Sequence, residues 1–254
     1  MKLTIGHLYP DLLNLYGDRG NIQCLSRRLQ WRGIEAEVRP FFAGERVDFS
    51  RLDLVLLGGG SDREQELVCR QLGEIRQDFR SYVEDGGVVL AVCGGYQILG
   101  DYYRTAKKEI PGLGILPLYT EWEPGRLVGN IILDSPLSLA PVVGFENHGG
   151  RTYIGEGTPF GRVLLGYGNT KTSGNEGMMY RHVIGTYLHG PLLPKNPEIC
   201  DYLLERALER RFGGVWKLKK LSDKLERWAN SSIVGRYCDR GYVWRERVRR
   251  RLPF

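Results

Sequence analysis

The chain has 254 residues and a formal net charge of +6, with 42% hydrophobic and 26% charged residues. That balance excludes a disordered chain and leaves enough sequence for one large domain or two small ones. No apolar run reaches the roughly 20 residues a membrane span needs, and five scattered cysteines without a CxxC spacing set aside both a disulfide framework and a zinc site.

The start of the chain shows no basic n-region and no small-residue cleavage site, so a cytoplasmic protein is expected. LTIGHLYP (3–10) reads as a strand. Residues 21–31 have helical spacing through Ile22, Leu25 and Leu29, and Gly33 stands where a helix stop belongs. Residues 34–40 alternate as a strand does. LDLVLLGGG (52–60) is an unbroken apolar run ending in three glycines. Residues 63–84 predict one long helix, and GVVLAVC (87–93) a second buried strand. Alternating strands and helices with unbroken apolar strands predict an α/β fold: a doubly wound, mostly parallel sheet with helices on both faces. Residues 111–188 predict shorter strands with dense glycine turns. The last clear helix is 197–212, with Asn196 as its cap and Pro197 at its first position.

Charge is uneven. Residues 205–254 carry 15 Lys and Arg against 6 Asp and Glu, a net +9, and the remainder is −3. We therefore divide the chain into a domain at 1–214 and a basic C-terminal appendage at 215–254, in which 215–228 can form a basic amphipathic helix. Without a nucleic-acid motif, a solvated positive face is favoured over RNA or DNA binding.

Three sequence features can carry chemistry. Val88–Gln97 runs a buried strand into Cys93, then Gly94 and Gly95, then a helical stretch. This is a thiol version of the nucleophile elbow, in which a sharp turn exposes the side chain at the sheet's carboxyl edge and a helix N-terminus favours a thiolate. The plain alternative is a small buried Cys closing a strand. Second, the glycine loop Gly58–Gly60 ends the neighbouring run. Its Gly60 N–H and the Gly94 N–H can form an oxyanion hole. Third, the run from Val183 reads as a strand that ends in His189 and is stopped by Gly190 and Pro191, which can bring a base to the same edge. His182 begins that strand at the far end, His148 is a candidate ligand contact, and His7 is read as structural. No carboxylate follows His189 closely. Either the site is a dyad, or its orienting group lies elsewhere in the chain, or a partner supplies it.

Together these features resemble the CobB/CobQ-like class I glutamine amidotransferases, whose architecture is flavodoxin-like. The resemblance narrows to the GatD subfamily through residues 8–21, 60–65, 144–153 and 185–197, and it covers about 1–212. GatD proteins are glutaminase subunits of lipid II isoglutaminyl synthase. The resemblance implies hydrolysis of L-glutamine, with Cys93 as nucleophile and His189 as base. Ammonia would pass to a MurT-like, Mur-ligase-type partner that amidates the D-glutamate α-carboxyl of lipid II to D-isoglutamine in peptidoglycan. It implies no cofactor in this subunit, with ATP and Mg on the partner. Arg126 falls where the family places a substrate-binding arginine, and its guanidinium suits the glutamine α-carboxylate. Asn147 and Tyr96 are further substrate-binding candidates. An amidotransferase for a cobyrinate-like or other carboxylate substrate remains open, as does a non-catalytic scaffold. The tail beyond 213 lies outside the resemblance.

Overall fold

The computed structural model describes residues 1–14 and 17–238. Leu15, Tyr16 and the last part of the expected appendage, 239–254, lie outside the described residues.

The chain begins with β1 (Lys2–Leu8), α1 (Arg19–Gln30), β2 (Glu35–Phe41), β3 (Leu54–Leu57), α2 (Asp62–Glu74), α3 (Arg76–Glu84), β4 (Val88–Val92) and the one-turn α4 (Gly94–Ile98). It then forms β5 (Tyr102–Arg104), β6 (Glu109–Pro111), β7 (Tyr119–Asp134), β8 (Val142–Tyr153), β9 (Gly161–Leu165) and β10 (Asn175–Glu176). It closes with β11 (Met178–Tyr180), β12 (Val183–Thr186), α5 (Pro197–Phe212) and α6 (Lys224–Tyr237).

The first sheet has the order β11-β12-β4-β3-β1-β2, with every pair parallel except β11 with β12. All residues of β3 and β4 are buried, as strands covered on both faces require. From β1 the chain steps one way to β2 and then the other way to β3. Right-handed crossovers in opposite directions put their helices on opposite faces. Thus α1 shares a face with α5, which packs on β1, β3 and β4, while α2 and α3 cover the other. The doubly wound α/β fold expected from the sequence is the fold observed.

Three local expectations need correction. The stretch 63–84 is two helices, parted at Ile75 (φ −114°, ψ 18°), with Gly73 weakening the last turn of α2. The middle of the chain holds the two longest strands, not short ones. β7 and β8 have 16 and 12 residues and pair antiparallel across a bulge between Trp122 and Leu127. They anchor a second sheet, β10-β9-β7-β5-β6, with β8 on the free side of β7. Finally, the tail helix is displaced. Residues 215–223 have no regular structure, and α6 occupies Lys224–Tyr237.

The described part of the tail lies along the body. Arg28, its side chain 2% exposed, pairs with Asp201 of α5 at 2.8 Å and with Asp223 at 2.6 Å. The Asn230 amide donates to the carbonyls of Pro141 and Lys195 at 2.9 and 3.0 Å. Val234 packs with Ile132 and Val143 of the second sheet. Asn196, expected as the α5 cap, makes no side-chain cap bond. Its amide instead pairs with both the N–H and the C=O of Val143, tying α5 to β8. Among the described residues no helix is long and apolar enough to cross a membrane.

Candidate active site

In a doubly wound sheet, ligands bind beyond the carboxyl ends of the strands. Four loops meet at that edge. Asp18 follows β1, Gly58–Gly60 follow β3, Cys93 follows β4, and His189 follows β12. The parallel register sets Thr186 beside Val92, so the ends of β4 and β12 lie together.

Cys93 holds φ 52°, ψ −106°, a conformation non-glycine residues rarely adopt. Its N–H is taken by Thr186 O at 2.8 Å, and its carbonyl accepts from Gln97 N–H at 3.0 Å. Gly94 leaves no space for a side chain, since a Cβ there would lie 2.3 Å from Gln65 Nε2. Gly59 is the meeting point of the site. A Cβ on it would lie 3.1 Å from Cys93 Cβ, 3.1 Å from His189 Cε1 and 3.5 Å from Asp18 Oδ2. The thiol, the imidazole and the carboxylate therefore converge around one glycine.

His189 is buried and fixed by reciprocal backbone bonds with Phe145. Its Nδ1 faces Asp18 Oδ1 at 3.5 Å. The other Asp18 oxygen accepts the Gly59 N–H at 2.8 Å. Burial opposes a charge on His189, but hydrogen bonding to Asp18 and Cys93 and their Coulombic attraction outweigh it, and the pKa rises to about 9. Of the three origins left open for the orienting group, the structure places one elsewhere in the same chain. Sequence reading passed over Asp18 because 171 residues separate it from His189. The available signal was its place in the loop after the first strand, which any doubly wound sheet delivers to this edge.

A cavity of about 580 Å³ opens over the thiol, lined by Gly60, Gln65, Cys93, Gln97, Arg126 and His148 among others. Arg126 belongs to the β7 bulge, and bulges re-aim side chains next to such sites. Its Nε donates to Asn147 Oδ1 and an Nη to Asn147 O, both at 2.8 Å. Buried Arg151 backs the bulge by donating to Gly125 O at 3.1 Å and Gly149 O at 3.0 Å. Two expectations change. Asn147 does not line the cavity; its side chain holds Arg126. Tyr96 is wholly buried under β12, against Tyr187 and Asn169, and lies outside the cavity wall because its ring fills the space over Gly185.

His148 lines the cavity and stacks on Tyr187 at 3.6 Å, with Nδ1 paired to Gly150 O at 2.8 Å. Burial lowers its pKa, the neighbouring Glu146 notwithstanding. His7 is buried away from the thiol, and burial lowers its pKa to about 4. His182 lies before β12, at the far end from His189. Behind His189, the wholly buried Glu176 accepts from Tyr187 N–H at 2.6 Å and from the Thr186 hydroxyl, and burial raises its pKa to about 8.

The family model for a CobB/CobQ-like glutamine amidotransferase domain matches residues 4–197. A Staphylococcus aureus protein named lipid II isoglutaminyl synthase (glutamine-hydrolyzing) subunit GatD is 45% identical over 92% of this chain and 96% of its own. Its Streptococcus pneumoniae namesake is 36% identical over 94% of this chain and 91% of its own. The crystal structure of a glutamine amidotransferase shares the fold, with a TM-score of 0.52 and 21% identity over 80% of this chain and 98% of its own. The chain belongs to the CobB/CobQ-like glutamine amidotransferase family and, within it, to the GatD branch.

Proposed function

We propose that the chain is the glutaminase subunit of a lipid II isoglutaminyl synthase, hydrolysing L-glutamine at Cys93. It passes ammonia to a MurT-like, Mur-ligase-type partner that amidates the lipid II D-glutamate α-carboxyl. Activation of that carboxyl with ATP and Mg belongs to the partner. The observation that carries the glutaminase reading is the convergence of Cys93, His189 and Asp18 around Gly59, with Cys93 opening on a cavity that Arg126 also lines.

In this mechanism Arg126 receives the α-carboxylate of glutamine and lays its carboxamide over Cys93. The sulfur anion attacks the carboxamide carbon, and the N–H groups of Gly60 and Gly94 hold the oxygen that becomes negative. Each such donor contributes roughly 3–4 kcal/mol at the transition state. The C–N bond breaks as His189 gives its proton to the nitrogen, releasing ammonia and leaving a γ-glutamyl thioester. With a pKa near 9, His189 holds that proton at neutral pH. His189 next takes a proton from water, which attacks the thioester, and glutamate leaves. Asp18 orients the imidazole through Nδ1 and steadies its positive form.

The test is amidation of lipid II by the chain together with its synthetase partner. Cys93→Ala is expected to abolish amidation from glutamine while ammonium still supports it. Loss with both nitrogen sources contradicts the reading.

A further inference from the structure

Gln65 lies in the first turn of α2, directly after the glycine loop, and is 3% exposed. Its side-chain amide stands between the two loops that supply the oxyanion donors. Nε2 donates to Gly60 O at 3.0 Å and lies 2.3 Å from where a Gly94 Cβ would be. That bond fixes which end is nitrogen, because a carbonyl accepts only from the N–H side. The other end, Oε1, is buried and has no hydrogen-bond donor among the described residues. Gln65 also lines the cavity over Cys93. A buried acceptor left without a donor destabilises the site that holds it. A bound molecule that brings an N–H to it relieves this, and one without an N–H does not.

We propose that Gln65 is a specificity-determining residue: its Oε1 accepts a hydrogen bond from the carboxamide NH2 of the substrate, while its Nε2 steadies the Gly60 loop. The inference rests on the glutaminase reading and extends it to how an amide is told from an ester or an acid. A carboxylate places a lone pair against Oε1 where an amide places a hydrogen. A site that pairs a substrate N–H rejects analogues lacking it, because its own polar group is then left unpaired.

The experiment compares L-glutamine with L-glutamate γ-methyl ester, which has the same acyl group and no N–H on its leaving group. Both are measured as kcat/KM with the chain in complex with its synthetase partner. Gln65→Met removes both polar ends at similar volume. Through loss of the Gly60 bond it is expected to lower kcat/KM for both substrates, and through loss of Oε1 to lower it for glutamine by a further roughly 10- to 100-fold. Gln65→Glu keeps an acceptor and loses the donor to Gly60, so both substrates are expected to fall together. Should the Met variant not fold, Gln65→Asn withdraws the amide by one methylene, and the same selective loss is expected of it. A proportional fall on both substrates in Gln65→Met, or no fall on glutamine, overturns the proposal. Turnover of neither substrate by the unsubstituted complex instead contradicts the glutaminase reading itself.

Discussion

Asp18→Asn isolates the electrostatics of the site. The substitution keeps shape and leaves an oxygen for the Gly59 N–H, but removes the charge facing His189 Nδ1 at 3.5 Å. In the unsubstituted protein the His189 pKa is raised from 6.5 to about 9. That rise corresponds to roughly 3 kcal/mol favouring the protonated, folded form. Because the folded value is the higher one, this stabilisation is fully present below pH 6.5. It is lost as pH rises through about 9. The hydrogen bond to Asp18 is the largest of the causes that raise the value, against the opposing effect of burial. Asp18→Asn should therefore bring the His189 pKa down toward or below 6.5 and flatten the pH dependence of stability above that point. Nitrogen-15 NMR titration of the imidazole reads the first effect, and urea melts at pH 6 and pH 9.5 read the second. Glutaminase activity should fall by about 10²- to 10⁴-fold, the range expected when a buried partner of a catalytic histidine loses its charge. A His189 that still titrates near 9 in the variant, or near 6 in the unsubstituted protein, would show that Asp18 does not hold its proton.

Arg126→Ala should raise KM for glutamine, lowering kcat/KM by roughly 10- to 100-fold through loss of a charge-assisted pair, with a smaller change in kcat; steady-state kinetics showing a kcat effect alone would count against its role. Arg28→Leu leaves Asp223 without this cation and Asp201 with Arg32 alone, and is expected to cost about 3 kcal/mol in a urea melt. A loss under about 1 kcal/mol would show that the described tail is held by Asn230 and Val234 rather than by this pair.

The parallel sheet was legible because its strands are covered on both faces, so β3 and β4 are unbroken apolar runs that no surface strand would show. Cys93 and Gly60 were legible for the same reason, each standing at the end of such a run, whereas His189 comes three residues after the short β12. The second sheet was not. β7 and β8 carry charges and glycines through Glu121–Gly129 and Gly144–Arg151, and the bulge breaks their alternation where Arg126 lines the cavity. Tyr96 stood one turn from the thiol in sequence, but a helix of five residues beginning at Gly94 sends successive side chains in different directions, and this one goes into the core. Asp18 and Gln65 were hidden by a different circumstance. Each stands at a loop junction formed only when separate strands end at one edge, Asp18 against Gly59 and Gln65 against Gly94, and no local pattern marks such a meeting.

Attack of Cys93 on a glutamine carboxamide, with help from His189, can be read by intact-mass and peptide mass spectrometry after exposing the chain, with its synthetase partner, to 6-diazo-5-oxo-L-norleucine, an electrophilic glutamine analogue. A single adduct on Cys93 is expected, prevented by excess glutamine and slowed strongly in His189→Ala. Labelling spread over Cys24, Cys69 and Cys238, or labelling of Cys93 that glutamine does not protect, would contradict it.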